Sequence, residues 1–580
     1  MSKLTSIRRI SPIRRVELLL HHFTPGERMV LYALSVALAL SALALLAGVN
    51  AAVSVNVPTS GGSLTEGVIG PARFVNPLLA LSDADQDLTQ LVYSGLTRPL
   101  ADGTIVPDLA ESYSISADGT VYTFKLRANA KFQDGAPVTS ADVLYTINQA
   151  QNPDIKSPRR ADWEGVAVSA PDSRTIIFKL PKAYAPFIEN TAIGILPQHL
   201  WKDVTAEEFP FSQLNVRPIG SGPYKIASVT TDSTGSPVRY TLVPFSGYAR
   251  GKAYLNKITL MFYPNEQAEM TALNGGSIDA LAGVSADELS SAKRSDIETV
   301  TVPLPRIFGV FFNQNHSPAL SDAAARAALE AAIDKNRLVS MVLEGYGVPL
   351  SSPIPPSVSA ASAPRQNVST AYTQDSIALA RDTLSKGGWS FDQASGTWTK
   401  NKQTLQFTLT TADAPELVKT ADAIATAWRQ AGVKVSVQVY PIAELNESVI
   451  RPRQYDALLF GEVVGRSMDL FAFWHSSQRN DPGLNLALYA NSKADTLLSQ
   501  ARATTNTTDR DKLYSQFADI LAKDRPAIFL YAPDFIYVVP KGLHGVTLGA
   551  LTAPAERFLT VQSWYMDTER VWSIFTNQTD

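Results

Sequence analysis

The sequence predicts a mixed α/β protein held at a membrane by one N-terminal apolar helix, with its body outside the cytoplasm. Three observations predict this: strand-like and helix-like runs interleave along the chain, a long uncharged apolar segment follows a basic leader, and 580 residues exceed one ordinary core.

The anchor comes first in the chain. Met29–Val49 is twenty-one residues without a charge. At 1.5 Å per residue it reaches roughly 30 Å, the thickness of a bilayer core. Lys3, Arg8, Arg9, Arg14, Arg15 and Arg28 precede it against Glu17 and Glu27, and Asn50–Gly62 carries no charge. The positive-inside rule therefore keeps residues 1–28 cytoplasmic and places the body outside. A cleaved signal peptide, cut at the small residues 47–52, is the competing reading. The longer apolar run and long leader favour an uncleaved anchor at 29–49 with a tether at 50–62.

Val121–Leu126 and Thr175–Leu180 alternate and are rich in β-branched and aromatic residues, as half-buried strands are. Lys257–Phe262 and Lys434–Val439 read the same way, and Phe529-Leu530-Tyr531 opens a further strand after Pro526. Asp322–Leu343, Ala414–Ala431 and Lys493–Ala522 read as helices. Thr139 and Asp142 have capping-box spacing and start another at Val143. Ser351–Pro364 is a Pro-rich linker or an ordered loop. Helices on sheets make an α/β or α+β body.

Composition excludes several functions. A net charge of −3 offers no basic face for nucleic acid. With no cysteine, the chain has no disulfide, thiolate metal site, cysteine nucleophile or lipid-modified cysteine. His21 and His22 precede the anchor, and His199, His316, His475 and His544 stand singly, with no HExxH and no acid at a diagnostic offset. Neither a G-x-S-x-G elbow nor a phosphate-binding P-loop occurs. Gly220-Ser221-Gly222 and Gly387-Gly388 read as turns, and Asp83, Asp85, Asp87, Glu207 and Glu208 as solvated acids. These features predict a binding protein, not an enzyme, with no cofactor and no metal site.

The stretch Ser116–Val143, SADGTVYTFKLRANAKFQDGAPVTSADV, is the most specific part of the chain. Ser116, Asp118-Gly119, Tyr122-Thr123-Phe124, Leu126-Arg127, Lys131-Phe132, Asp134-Gly135, Pro137-Val138-Thr139 and Asp142-Val143 resemble the signature of the family 5 extracellular solute-binding proteins, the peptide- and nickel-type receptors of ABC importers. The resemblance continues through Tyr93–Leu96, Pro107–Ser112 and Ile219–Tyr224 in the first half. It resumes at Phe312-Asn313, Arg326 and Ala332–Lys335, and again from Tyr489 to Pro526.

The resemblance implies a two-lobed periplasmic-binding-protein-like fold of class II. Lobe I would take residues 60–106, 215–305 and 530–575, an extra small domain 107–214, and lobe II 306–529. Gly220, Gly222 and Pro223 would form the crossover where the chain re-enters lobe I, a turn suited to unusual backbone angles. It implies a monomer that binds one peptide between its lobes, an ABC permease as partner, and a cell-membrane or cell-surface location.

In the peptide-binding relatives an acid meets the ligand amine and a basic residue its carboxylate. Glu66 matches a first-lobe strand acid, and otherwise reads as a surface carboxylate. Phe311, Phe312 and Asn313 either offer backbone groups to a peptide or form a core strand. In Leu459–Gln478 the relatives carry an acidic loop. Here Asp469 matches its last acid, but Arg466 stands where a further acid is expected. Glu462 and Arg466 either meet an amine and a carboxylate or pair with each other. Trp474 and His475 belong to the cleft rim, or are a core Trp beside a surface His. Alternatives to peptide import are a chelated metal or other solute on the same fold, or a chaperone-like protein that binds unfolded chains.

Overall fold

The structure, a computed structural model, describes residues 23–356, 374–466 and 468–575. His21, His22, most of the basic leader and part of the Pro-rich segment fall outside these residues.

The chain divides into two compact units, one of residues 1–59 and 567–580 and one of residues 60–566. In the first, the apolar segment is a helix, Pro25–Val53, that starts earlier and ends later than the hydropathy run. Its start is a capping box in which Glu27 Oε2 accepts the Thr24 N–H at 2.8 Å. Its apolar side chains are exposed along its length. Residues expected to be a tether are regular structure instead: Ser54–Thr59 is a strand paired antiparallel with Asp567–Trp572. Backbone pairing needs no charge or large side chain, so the residue types at 50–62 did not reveal it.

The second unit holds two large apolar cores. One gathers side chains between Ile307 and Ala532. The other gathers side chains between Leu64 and Leu304 together with Phe535–Trp564. We call the parts around them lobe II and lobe I. Each has a half of one mixed twelve-stranded sheet. In lobe I, Gly61–Ile69 runs parallel to Leu255–Tyr263 and Ala280–Ala282. In lobe II, Gln406–Ala412 runs parallel to Lys434–Tyr440 and Ala457–Val463.

The halves join at the strand Ala527–Pro540. Its first part, Ala527–Tyr531, pairs with Arg306–Phe312 of lobe II, and its second, Asp534–Pro540, with Ile297–Pro303 of lobe I. The chain therefore crosses between lobes at Leu304-Pro305 and at Ala532-Pro533. Gly220 and Gly222 lie just before the lobe I strand Tyr224–Thr231 and not at these two crossings. Neither has a positive φ. They are needed for close approach: a Cβ at Gly220 would stand 2.1 Å from Val92 O, and one at Gly222 2.6 Å from Val92 C. The Gly222 N–H donates to that Val92 carbonyl at 2.8 Å.

The signature stretch builds a four-stranded antiparallel sheet of Ala110–Ile115, Val121–Leu126, Thr175–Lys179 and Ala167–Asp172. Asp118 ties its turn, accepting from Ser116 Oγ at 2.5 Å and from Thr120 Oγ1 at 2.8 Å, with Gly119 at φ 68°. Tyr122, Phe124 and Leu126 alternate inward and are fully buried in the lobe I core. Asp142 Oδ2 accepts both the N–H and the hydroxyl of Thr139, closing the expected helix start.

Two helical stretches are each broken in two. Asp322–Leu343 forms Ala323–Ala331 and Lys335–Val342, because Asp334 caps a new helix by accepting the Arg337 N–H at 3.0 Å. Lys493–Ala522 forms Ser492–Ala503 and Thr507–Asp524, where Asn506 does the same for Asp509 N–H.

Candidate functional site: the cleft between the lobes

Two hollows lie between the lobes. The larger, about 870 Å³, lies at the strand crossing. Lobe I contributes the end of its parallel strand (Gly67–Ile69) and helix starts at Asp83 and Glu266, and lobe II contributes Arg306, Phe308, Tyr346 and Glu416. Phe308 faces it because the strand Arg306–Phe312 alternates, and its ring stacks on Tyr531 with centroids 5.3 Å apart. Lys419 of lobe II bonds Asp287 of lobe I across this hollow. A cavity of this size, part apolar and part polar, is what a small ligand needs.

Behind its lobe I wall is a buried charge cluster. Glu66, at 0% exposure, accepts Tyr537 OH at 2.8 Å and Arg557 Nε at 2.7 Å. The other Arg557 nitrogens hold Asp87 at 2.7 and 2.6 Å. Burial raises the pKa of Glu66 and of Asp87, against the pull of Arg557. Glu269 lies beside them and is pushed up to about 8 by burial and then by Glu66. Glu66 is thus neither a surface carboxylate nor a free cleft acid. Its partners Asp87 and Arg557 line the hollow. Asp85 and Asp87, expected to be solvated, are buried. Asp85 accepts the N–H groups of Arg73 and Phe74 at 2.6 and 2.7 Å.

The smaller hollow, about 470 Å³, is lined by lobe I and by Gly465 and Arg466 of lobe II. Arg466 pairs with Glu556 of lobe I at 2.7 Å and not with Glu462. Glu556 is held in turn by Thr552, whose N–H and hydroxyl both donate at 2.6 Å. Glu462 is 3% exposed, has no hydrogen-bond partner among the described residues, and is pushed well above the usual carboxylate range by burial. It shares a sheet face with Phe311, away from solvent, so burial inside lobe II acts against its charged form.

Asp469 accepts Arg502 Nη2 at 2.7 Å, and Tyr184 OH of lobe I donates to the same oxygen at 3.4 Å. Arg502 lies over the Tyr184 and Phe471 rings, and its carbonyl accepts the Ala185 N–H at 3.1 Å. The loop acid thus ties lobe to lobe. Phe311 and Phe312 are core, and Trp474 packs on Phe311 and Phe529. Asn313 caps its own loop, accepting from Asn315 and His316 N–H and donating to Arg453 O at 2.9 Å. His475 stacks on Phe471 at 4.0 Å, with Nδ1 2.8 Å from Ser477 Oγ. His199 and His316 do have acids, Asp134 and Asp456, supplied from 65 and 140 residues away.

The sequence reading missed Phe308, Arg306, Glu416 and Arg557. Phe308 carried no signal, since Ile307–Phe312 is apolar or glycine at every position, as in a strand covered on both faces. Arg557 carried no signal, since its partners come from positions 66 and 87.

Two lobes, two chain crossings between them and a cleft that both walls complete define a ligand trap of the extracellular solute-receptor class. The profile of the bacterial extracellular solute-binding proteins, family 5 (middle region) matches residues 104–516, and the chain belongs to that family. The oligopeptide-binding protein AppA of Bacillus subtilis is 26% identical over 527 residues, 88% of this chain and 93% of AppA. Its structure in complex with a nonapeptide superposes with a TM-score of 0.64 at 27% identity, over 88% of this chain and 100% of that one. NikZ from Campylobacter jejuni in complex with Ni(L-His) gives 0.65 at 26% identity, over 87% and 99%. The ABC transporter substrate-binding protein CtaP from Listeria monocytogenes gives 0.71 at 25%, over 88% and 100%.

Proposed function

We propose that this protein captures a peptide between its lobes and delivers it to the permease of an ABC importer, carrying out no reaction itself. The observation that carries this reading is the 870 Å³ hollow completed by both lobes at the strand crossing. A ligand there touches both walls, so binding favours the closed arrangement that a permease reads. Strand ends at Gly67–Ile69 offer backbone groups for sequence-independent pairing with an extended chain. The relatives support a peptide, since AppA is an oligopeptide-binding protein whose structure holds a nonapeptide.

In this reading the protein is a monomer binding one ligand, with residues 107–214 as the extra small domain. Pro25–Val53 is the uncleaved tether, its N-terminus cytoplasmic and its body outside. A helix of this length and apolarity crosses a bilayer, and with no cysteine a lipid anchor on cysteine is not open to the chain.

The test is native mass spectrometry on the full chain purified gently in detergent. A spread of small adducts that resolves into peptides on denaturation supports the reading. One discrete adduct that is not a peptide would carry it to a chelate or other solute, the class held by NikZ. A bare protein indifferent to added peptides would overturn it.

A further inference from the structure

The two-stranded ribbon beside the apolar helix holds a feature that ligand capture does not use. Helix Pro25–Val53 passes into the strand Ser54–Thr59 with no residue between them. Ser54 closes the helix, its N–H and its hydroxyl both donating to the Asn50 carbonyl. Opposite Ser54 in the antiparallel register stands Trp572, and its indole N–H donates to Asn50 Oδ1 at 2.6 Å. The last strand of the chain therefore runs back to the end of the apolar helix.

Depth follows from length. Met29–Val49 has no charge and reaches roughly 30 Å, the hydrocarbon thickness, so Asn50 stands at the outer headgroup level. Trp572, bonded to Asn50, shares that level. Tryptophan prefers this zone, where its ring meets lipid and its N–H meets polar groups. Charge is graded to match. Arg570, Glu569 and Asp567 lie on the same strand roughly 7, 10 and 17 Å from Trp572, at about 3.4 Å per residue, and residues 571–579 carry no charge.

The same end is apolar and open. Trp572 is 48% exposed and Ile574 68%, and Val53 and Val55 are exposed on the facing segment. The ribbon has no third strand among the described residues, and two strands alone are marginal in water. A bilayer surface would cover these side chains and complete the packing.

We infer that this end of the ribbon, with Trp572 and Ile574, is seated in the outer lipid interface as a second attachment beside the helix. The inference rests on the uncleaved-tether reading above. The occupant is lipid because the surface continues directly from a helix whose own apolar side chains are exposed along its length. Both connections to the body, after Thr59 and before Asp567, leave from the opposite end of the ribbon, since those two residues are paired. The body is thus carried on a two-stranded stem, with the C-terminal strand returned to the membrane.

The chain's own fluorescence tests this. Of its eight tryptophans, seven are at most 6% exposed and Trp572 is the open one. The full chain is placed in nanodiscs of phosphatidylcholine, with and without bromine on the acyl chains near the glycerol. Brominated lipid is expected to quench roughly one eighth of the tryptophan emission, the share of one ring seated in the interface, and iodide in the water little. In W572F the brominated lipid should quench nothing. Iodide quenching of that share without lipid quenching would put Trp572 in water and overturn the inference. Quenching by neither agent would show the indole covered by protein and overturn it too, as would lipid quenching that persists in W572F. Protein that does not co-elute with the discs, or that begins near residue 50, fails the tether reading itself, an outcome distinct from all of these. The two quenchers are compared on the unsubstituted protein, so misfolding of a variant leaves the test intact.

Discussion

Arg557 holds Asp87 with two nitrogens, at 2.7 and 2.6 Å, while its Nε holds Glu66, all three side chains at most 2% exposed. Residues 470 and 491 positions apart thereby become one charged unit behind the cleft wall. Removing the cation leaves two carboxylates buried and uncompensated. R557M is therefore expected to lose about 3–5 kcal/mol of stability. Chemical denaturation checks this, and D87N should cost less than R557M because Glu66 still faces the guanidinium.

Glu269 gives the fold a pH dependence. Its folded pKa, about 8, lies above its ordinary 4.5, through burial first and then Glu66, with Arg557 opposing and Glu266 and Asp87 adding. The folded protein thus holds a proton that the unfolded chain releases near pH 4.5. Stability is present in full below that point and is lost as pH rises toward 8. E269Q is expected to flatten this slope and to be the more stable protein at pH 8, by roughly 1–4 kcal/mol. Melting temperatures of both proteins from pH 5 to 9 check it.

Asp469 and Arg502 bind lobe II to Tyr184 and Ala185 of lobe I. D469N keeps the shape and removes the charge, so the open population should rise. Apparent affinity for peptide should fall up to about tenfold, as for loss of about 1.4 kcal/mol of closure. Small-angle scattering should show the more open protein directly, and unchanged scattering with unchanged affinity would remove the latch role.

Gly220 meets Val92 O with no room for a Cβ. Gln133 of the signature stretch bonds the same place, its Nε2 donating to Val92 O at 3.0 Å and its Oε1 accepting Gly220 N–H at 3.2 Å. G220A is expected to cost about 1–3 kcal/mol by overpacking. G235A, at an exposed turn, should cost less even though its φ is 83°.

The tether makes a simpler prediction. Fractionated cells should hold the full-length protein in the membrane, extractable by detergent and not by high salt. A soluble form shortened near residue 50 would show that the helix is a cleaved leader.

Local chemistry made much of the fold legible. The turn at Asp118-Gly119, the strand Val121–Leu126 and the helix start at Thr139 each depend on neighbours within a few residues. The helix breaks at Asp334 and Asn506 were missed because the apolar pattern runs through both. Of the segment Leu459–Gln478, Gly465 and Arg466 line the smaller hollow, and the contacts its residues make were not legible in the sequence. Glu462 is a buried acid without a hydrogen-bond partner among the described residues, Asp469 ties Arg502 to Tyr184 and Arg466 meets Glu556, and the last two roles are set by partners far away in sequence.

The sequence by itself determined the family resemblance, the interleaved α/β pattern and the apolar anchor, because period, turn chemistry and charge bias act over short spans. Tertiary structure alone decided that Glu66 and Asp87 share Arg557, that the lobes cross at residues 304–305 and 532–533, and that Arg466 of lobe II meets Glu556 of lobe I. The physical reason is that a buried charge or orphan donor takes its character from whatever packing brings within about 3 Å, and no spacing along the chain encodes that neighbour.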